Sequence, residues 1–148
     1  MGNRFKCIEK SSQSDMDTSV VRVTDPTDSI EIPSINSCLA IICKLSDGSV
    51  IAGHATHPFA AIEGGDPSSI AKKIKEKCSL NGLEISETIC VGDSNYTAAA
   101  DSIAKESLES VQRELGRCIF WEKTTNYEDV IISKDGEEWK IVRNKRDK

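Results

Sequence analysis

The chain has 148 residues, a length that suits one domain and can bury a core without covalent staples. Its formal charge of −5 lacks the basic footprint of a general nucleic-acid binder. Hydrophobic residues make up 38% of it, and no apolar run reaches the length of a membrane span.

Residues 1–17, MGNRFKCIEKSSQSDMD, lack the apolar segment of a secretory signal, and Lys6 stands where the myristoylation pattern wants Ser or Thr. They read as a disordered polar tail on a cytoplasmic protein, or on one exported by a machine that reads no signal peptide. A single domain then covers 18–144. TSVVRVT reads as a strand, and DPTDSIEIPSINS as a loop rich in turn formers. CLAIICKL and SVIAGHATH are apolar runs joined by Ser46-Asp47-Gly48, a hairpin signal. GGDPSSIAKKIKEKCSLNG predicts a helix with Asp66 as N-cap, Pro67 at N1, an Ile70–Ile74–Cys78 stripe and Gly82 as terminator.

ETICVG is a short buried strand. DSIAKESLESVQRELG predicts a second amphipathic helix, with Ala104, Leu108, Val111 and Leu115 on one face and Gly116 past its end. RCIFWE, YEDVIIS and EWKIVR are strands, the last two joined around Lys134-Asp135-Gly136. Beyond them, KIVRNKRDK closes the chain in a solvated basic tail over 145–148. The order of elements predicts an α+β fold: a largely antiparallel sheet or sandwich with two helices packed on one side. Neither glycine-rich nucleotide motif occurs, so no nucleotide cofactor is implied.

None of the six cysteines is in C-x-x-C spacing, which argues against a thiolate metal site. Cys43, Cys78, Cys90 and Cys118 fall inside apolar patterns and read as small buried hydrophobes. Cys38 follows the polar stretch PSINS and does not fit that description. If the hairpin turn is the two-residue Asp47-Gly48 loop, Cys38 faces His57, and His54 faces the other side of the sheet. If it is a three-residue loop with Gly48 left-handed, Leu45 faces Ser49, Ala40 faces His54 and Cys38 faces Thr56. Cys38 and His54 then share a face as diagonal neighbours. Asp-Gly serves both turn types, so the pattern leaves both open. A thiol beside an imidazole can become a nucleophilic thiolate, although most such pairs on facing strands only line a core.

INSCLAIICKLSDGSVIAGHATHP resembles the nucleophile hairpin of the CheD chemoreceptor glutamine deamidases. There a Gly-Ser-Cys turn leads into an apolar strand, and the returning strand ends in a histidine with a proline four residues on. Ser37-Cys38, His54 and Pro58 match. The hairpin is also similar to that of the catalytic domains of cytotoxic necrotizing factor-like toxins. The order of elements resembles CheD from Val20 to Arg143. The chain departs from the family pattern at Asn36, at Gly92 and at Ile32, where CheD-like enzymes have a threonine that orients the histidine.

The resemblance implies a protein-glutamine deamidase, either a chemotaxis-type regulator or a bacterial effector or toxin, needing no metal or cofactor. Its partner is a protein presenting an accessible glutamine. Cys38 becomes the nucleophile and His54 the base and acid. Ser34 is the first side chain to consider in place of the missing threonine, with Thr56 and a backbone carbonyl as the others. An inactive CheD-like binding module, another thiol amidase or transglutaminase, and a plain structural domain are the rival readings.

Overall fold

The computed structural model describes residues 4–7, 20–23, 28–35, 38–56, 65–97, 102–122, 128–135 and 138–145. Nine strands lie in it: β1 (Arg4–Cys7), β2 (Val20–Val23), β3 (Asp28–Ile35), β4 (Leu39–Leu45), β5 (Val50–Ala55), β6 (Ile85–Gly92), β7 (Cys118–Glu122), β8 (Glu128–Asp135) and β9 (Glu138–Lys145). Helix α1 (Pro67–Leu80) separates β5 from β6, and α2 (Ser102–Leu115) separates β6 from β7. The class is α+β, as the order of elements predicts.

The strands form two sheets. One has the order β1-β3-β8-β9, the other β2-β5-β4-β6-β7. Most pairs are antiparallel; β1 with β3 and β6 with β7 are parallel. Two separate cores stack the sheets and helices into three layers. Ile30, Ile32, Val130, Ile132 and Trp139 of the first sheet meet Ala40, Ile42, Val50, Ala52, Ile89 and Val91 of the second. The opposite face of the second sheet carries Leu39, Ile41, Cys43, Ile51 and Cys90, which pack on Ile70, Ile74 and Cys78 of α1 and Leu108, Val111 and Leu115 of α2. The five-stranded sheet is thus covered on both faces. This explains why β4 and β5 read as continuous apolar runs rather than as alternating ones.

The helix punctuation follows the sequence. Asp66 has extended backbone angles and accepts from the Ser69 N–H at 3.3 Å, satisfying one of the orphan donors of the first turn, and Pro67 follows it. Gly82 and Gly116 both take positive φ, 65° and 89°, just beyond the two helices. All four residues of the α2 stripe are buried.

Two expectations are corrected. DPTDSIEIPSINS is not a loop throughout, because Asp28–Ile35 is an eight-residue strand. Ile30 and Ile32, both wholly buried, supply the alternating pattern that its turn formers mask. The polar N-terminal segment is not wholly a tail either. Arg4–Cys7 pairs in parallel with β3, from Arg4 opposite Asp28 to Cys7 opposite Glu31. Four alternating residues are too few to hold a strand alone, and the edge that β3 offers completes it. At the other end β9 runs to Lys145, one residue into the expected basic tail, and 146–148 lie outside the described residues.

Candidate active site

The β4–β5 hairpin sets the site. The Leu45 N–H donates to Ser49 O at 2.9 Å, and the Gly48 N–H donates to Leu45 O at 3.0 Å. Gly48 takes φ 86°, a conformation any residue with a Cβ resists. Asp47 Oδ1 accepts from the Ser49 N–H at 2.9 Å and fixes the corner. The turn is therefore the three-residue one. Lys44 lies opposite Val50, Ile42 opposite Ala52, Ala40 opposite His54 and Leu39 opposite Ala55.

That register decides which face each side chain takes. Cys38 belongs to the inter-sheet core with Ala40 and Ile42. His54 is the direct partner of Ala40, and directly opposed residues share a face. Cys38 and His54 therefore lie on the same side of the sheet, one pleat step apart along adjacent strands. Cys38 is 9% exposed and His54 2%, and both are engaged with their surroundings. An imidazole held in such a place has its ring direction set by packing, which a base needs.

Thr56, at the level of Cys38, is 2% exposed. Its N–H and its hydroxyl both donate to Gly65 O, at 2.8 and 3.1 Å. This ties the end of β5 to the N-cap of α1 and commits the Thr56 hydroxyl proton there. Ile32 is wholly buried in the same core cluster as Cys38 and has no acceptor to offer a ring N–H. Between Ile32 and Ile35 the β3–β8 register slips, so β3 bulges just ahead of Cys38. Pro33, with no N–H to give the ladder, stands in that bulge. Ser34 stands there too, and its side chain lies outside the described ones. So do Asn36, Ser37, His57 and Pro58.

Behind the cysteine, Gly92 permits a close approach. A Cβ placed there would stand 2.9 Å from Leu39 Cδ1 and 3.1 Å from Tyr96 Cδ2. Leu39 adjoins Cys38, so the absence of a side chain at Gly92 seats the start of β4.

Two residues at this end of the sandwich escaped the sequence reading. Ala40 lies opposite Val91, and Val91 opposite Trp121, so His54, Ala40, Val91 and Trp121 form one row across four strands on the inter-sheet face. The Arg143 guanidinium lies 5.6 Å from the Trp121 ring centroid, and its Nη1 donates to Glu122 O at 2.9 Å. A tryptophan in RCIFWE and an arginine in a basic terminal strand carry no local mark of this meeting; only the strand register reveals it.

The other cysteines behave differently. Burial pushes the Cys43 thiol up to about 12, partly offset by a hydrogen bond to Thr88 at 3.6 Å, so this thiol stays protonated and inert. No group of three His, Cys, Asp or Glu among the described residues is arranged to hold a metal ion. Among the described residues no helix is long and apolar enough to cross a membrane.

No family model matches the chain, and no curated protein matches it. Among solved structures it is similar to the C-terminal domain of CNFy from Yersinia pseudotuberculosis, with a TM-score of 0.45 and 10% identity. The match covers 82% of this chain and 50% of that one, so the chain spans about half the length of that structure. A likeness of this order fixes neither an activity nor a site.

Proposed function

We propose that this chain is a cysteine-dependent protein-glutamine deamidase of CheD-like type, with Cys38 as nucleophile and His54 as general base and acid. The observation that supports it is the hairpin register. Ala40 is opposite His54, and Cys38 shares the inter-sheet core with Ala40. His54 takes the thiol proton, and the thiolate attacks the carbonyl carbon of a glutamine side chain. The tetrahedral intermediate collapses as the imidazolium gives its proton to the leaving nitrogen, and ammonia departs. Water, deprotonated by the same imidazole, then cleaves the thioester to glutamate and restores the thiol. Backbone N–H groups ahead of Cys38 are the natural oxyanion donors. The substrate is a protein, approaching the end of the sandwich where Trp121 and Arg143 stand.

The test is intact-mass analysis of candidate protein substrates after incubation with the chain. Deamidation replaces NH2 by OH, and the change must vanish with Cys38→Ser. Supplying a primary amine separates hydrolysis from transglutamination, since both pass through the same thioester. A second reading has its own support: wholly buried Ile32 stands where the family has the threonine that holds the histidine. An inactive binding module of the same fold would show partner capture unaffected by Cys38→Ser and no mass change.

A further inference from the structure

A second pair of thiols stands on the opposite face of the same sheet. Cys118 opens β7 and is half-buried; Cys90 lies wholly buried in the middle of β6. The two strands are parallel, with Thr88 opposite Cys118 and Cys90 opposite Phe120. Cys90 is thus one pleat step beyond the residue facing Cys118, on the same helix-side face. The interaction between the two side chains is the foremost cause of opposite shifts: it holds the Cys118 thiol below its ordinary value and the Cys90 thiol well above. Cys90 therefore keeps its proton, and the thiolate forms on Cys118.

A thiolate with some access to solvent, beside a protonated thiol, is the arrangement of a sulfur that oxidises first and a sulfur that resolves it. The neighbouring thiols do not compete. Cys43 is held protonated by burial, and no three of the residues gathered here are placed to bind a metal.

We propose that Cys118 and Cys90 form a reversible disulfide when the protein meets a peroxide. The Cys118 thiolate attacks the O–O bond of hydrogen peroxide, taking OH and releasing hydroxide, which becomes water on gaining a proton. The Cys90 sulfur then displaces OH from the sulfenic sulfur. Its own proton leaves with that OH as a second water. Two thiols give up two electrons and two hydrogens, and one peroxide becomes two waters. A disulfide needs its Cα atoms within about 6.8 Å, closer than the roughly 7–8 Å of diagonal neighbours on adjacent strands, so the strands must approach. β7 is the outer strand of its sheet and is held on one side only among the described strands, so it can supply that movement. The bond would then be strained and easily reduced, as reversible disulfides are.

The experiment uses the full chain carrying Cys38→Ser, which removes the other candidate nucleophile. It is treated with graded hydrogen peroxide at neutral pH, alkylated in denaturant and mapped by mass. The expected product has lost two hydrogens, contains a Cys90–Cys118 cross-linked peptide and returns to its starting mass with a thiol reductant. With Cys90→Ser added, the cross-link disappears and Cys118 proceeds to sulfinic acid. Three results overturn the proposal: a Cys118 left unmodified while other cysteines oxidise, a cross-link between any other pair, or sulfinic acid accumulating at Cys118 although Cys90 is present.

Discussion

Ala40 stands directly opposite His54, and this single pairing places the histidine on the side of the sheet that Cys38 occupies. A two-residue turn would have sent His54 to the helix-covered face. If the pair acts as one catalytic unit, Cys38→Ala and His54→Ala each abolish deamidation, and the double variant is no worse than either. Rates from the intact-mass assay on the two single variants and the double test this. Full activity in Cys38→Ala removes the deamidase reading.

Gly48 holds the register by backbone conformation alone, since a Cβ there meets nothing within 4 Å. Gly48→Ala should therefore cost only the left-handed strain, about 1–2 kcal/mol. Trp139 Nε1 donates to Gly48 O at 2.8 Å and ties the turn to the other sheet, so the register survives. A lower Tm with unchanged activity is the expected outcome. Loss of activity at full stability would show that the turn does more than set register.

The hairpin, both helices and their caps were legible because each is written locally: an Asp-Gly corner, an Asp-Pro start, a glycine just past each end. Strand β3 was not, since Pro26, Pro33 and Ser34 speak for a loop while the Ile30–Ile32 alternation is short. Its strand state is secured by β8 on one side and β1 on the other. β1 alternates polar and apolar residues, Arg4-Phe5-Lys6-Cys7, but over only four residues, too short a run to stand out from the polar segment around it. The division into two sheets, and with it the meeting of Trp121 and Arg143, depends on contacts far apart in sequence. In the candidate site, Cys38 and His54 stood out as residues, but the face that His54 takes waited on the turn. Cys118, expected to be buried with the other three, is only half-buried, because it opens an outer strand rather than filling a central one.

Helix α1 docks by one stripe. Ile74 is wholly buried on it, and Lys72 is exposed. Ile74→Asp puts a charge into the helix-side core and should prevent folding. Ile74→Ala should cost about 2–5 kcal/mol. Lys72→Ala should stay within about 0.5 kcal/mol of the parent. Denaturant midpoints of the three variants check the orientation.

Cys43 gives the fold an alkaline limit. Its ordinary value is 9.0 and the fold raises it to about 12. A raised thiol favours the folded state fully below the unfolded value, and that contribution is lost as pH rises through the folded one. Stability should therefore fall between pH 9 and 12 by up to about 4 kcal/mol from this group, at about 1.4 kcal/mol per pH unit. Cys43→Ala lowers stability at neutral pH by leaving a cavity, but its decline above pH 9 should be shallower. Denaturation at a series of pH values compares the two slopes; equal slopes would assign the alkaline limit to other groups.

The last prediction joins packing to chemistry at Gly92. Its role is space, since a methyl group there would press on Leu39 at 2.9 Å and on the Tyr96 ring at 3.1 Å. Both are wholly buried, and Tyr96 is further confined by Phe120, whose ring centroid lies 6.5 Å away. Neither side chain can swing into solvent, so β4 itself must yield, at a cost of about 1–3 kcal/mol. The residue displaced with Leu39 is Cys38, next in the chain. A shift of about 1 Å in a reacting group can cost on the order of a hundredfold in rate. Gly92→Ala should therefore lose far more activity than stability, and Gly92→Ala with Leu39→Ala should recover part of the rate by giving the methyl group room. A Gly92→Ala variant with full deamidation would separate this packing from the chemistry and place the reacting thiol elsewhere.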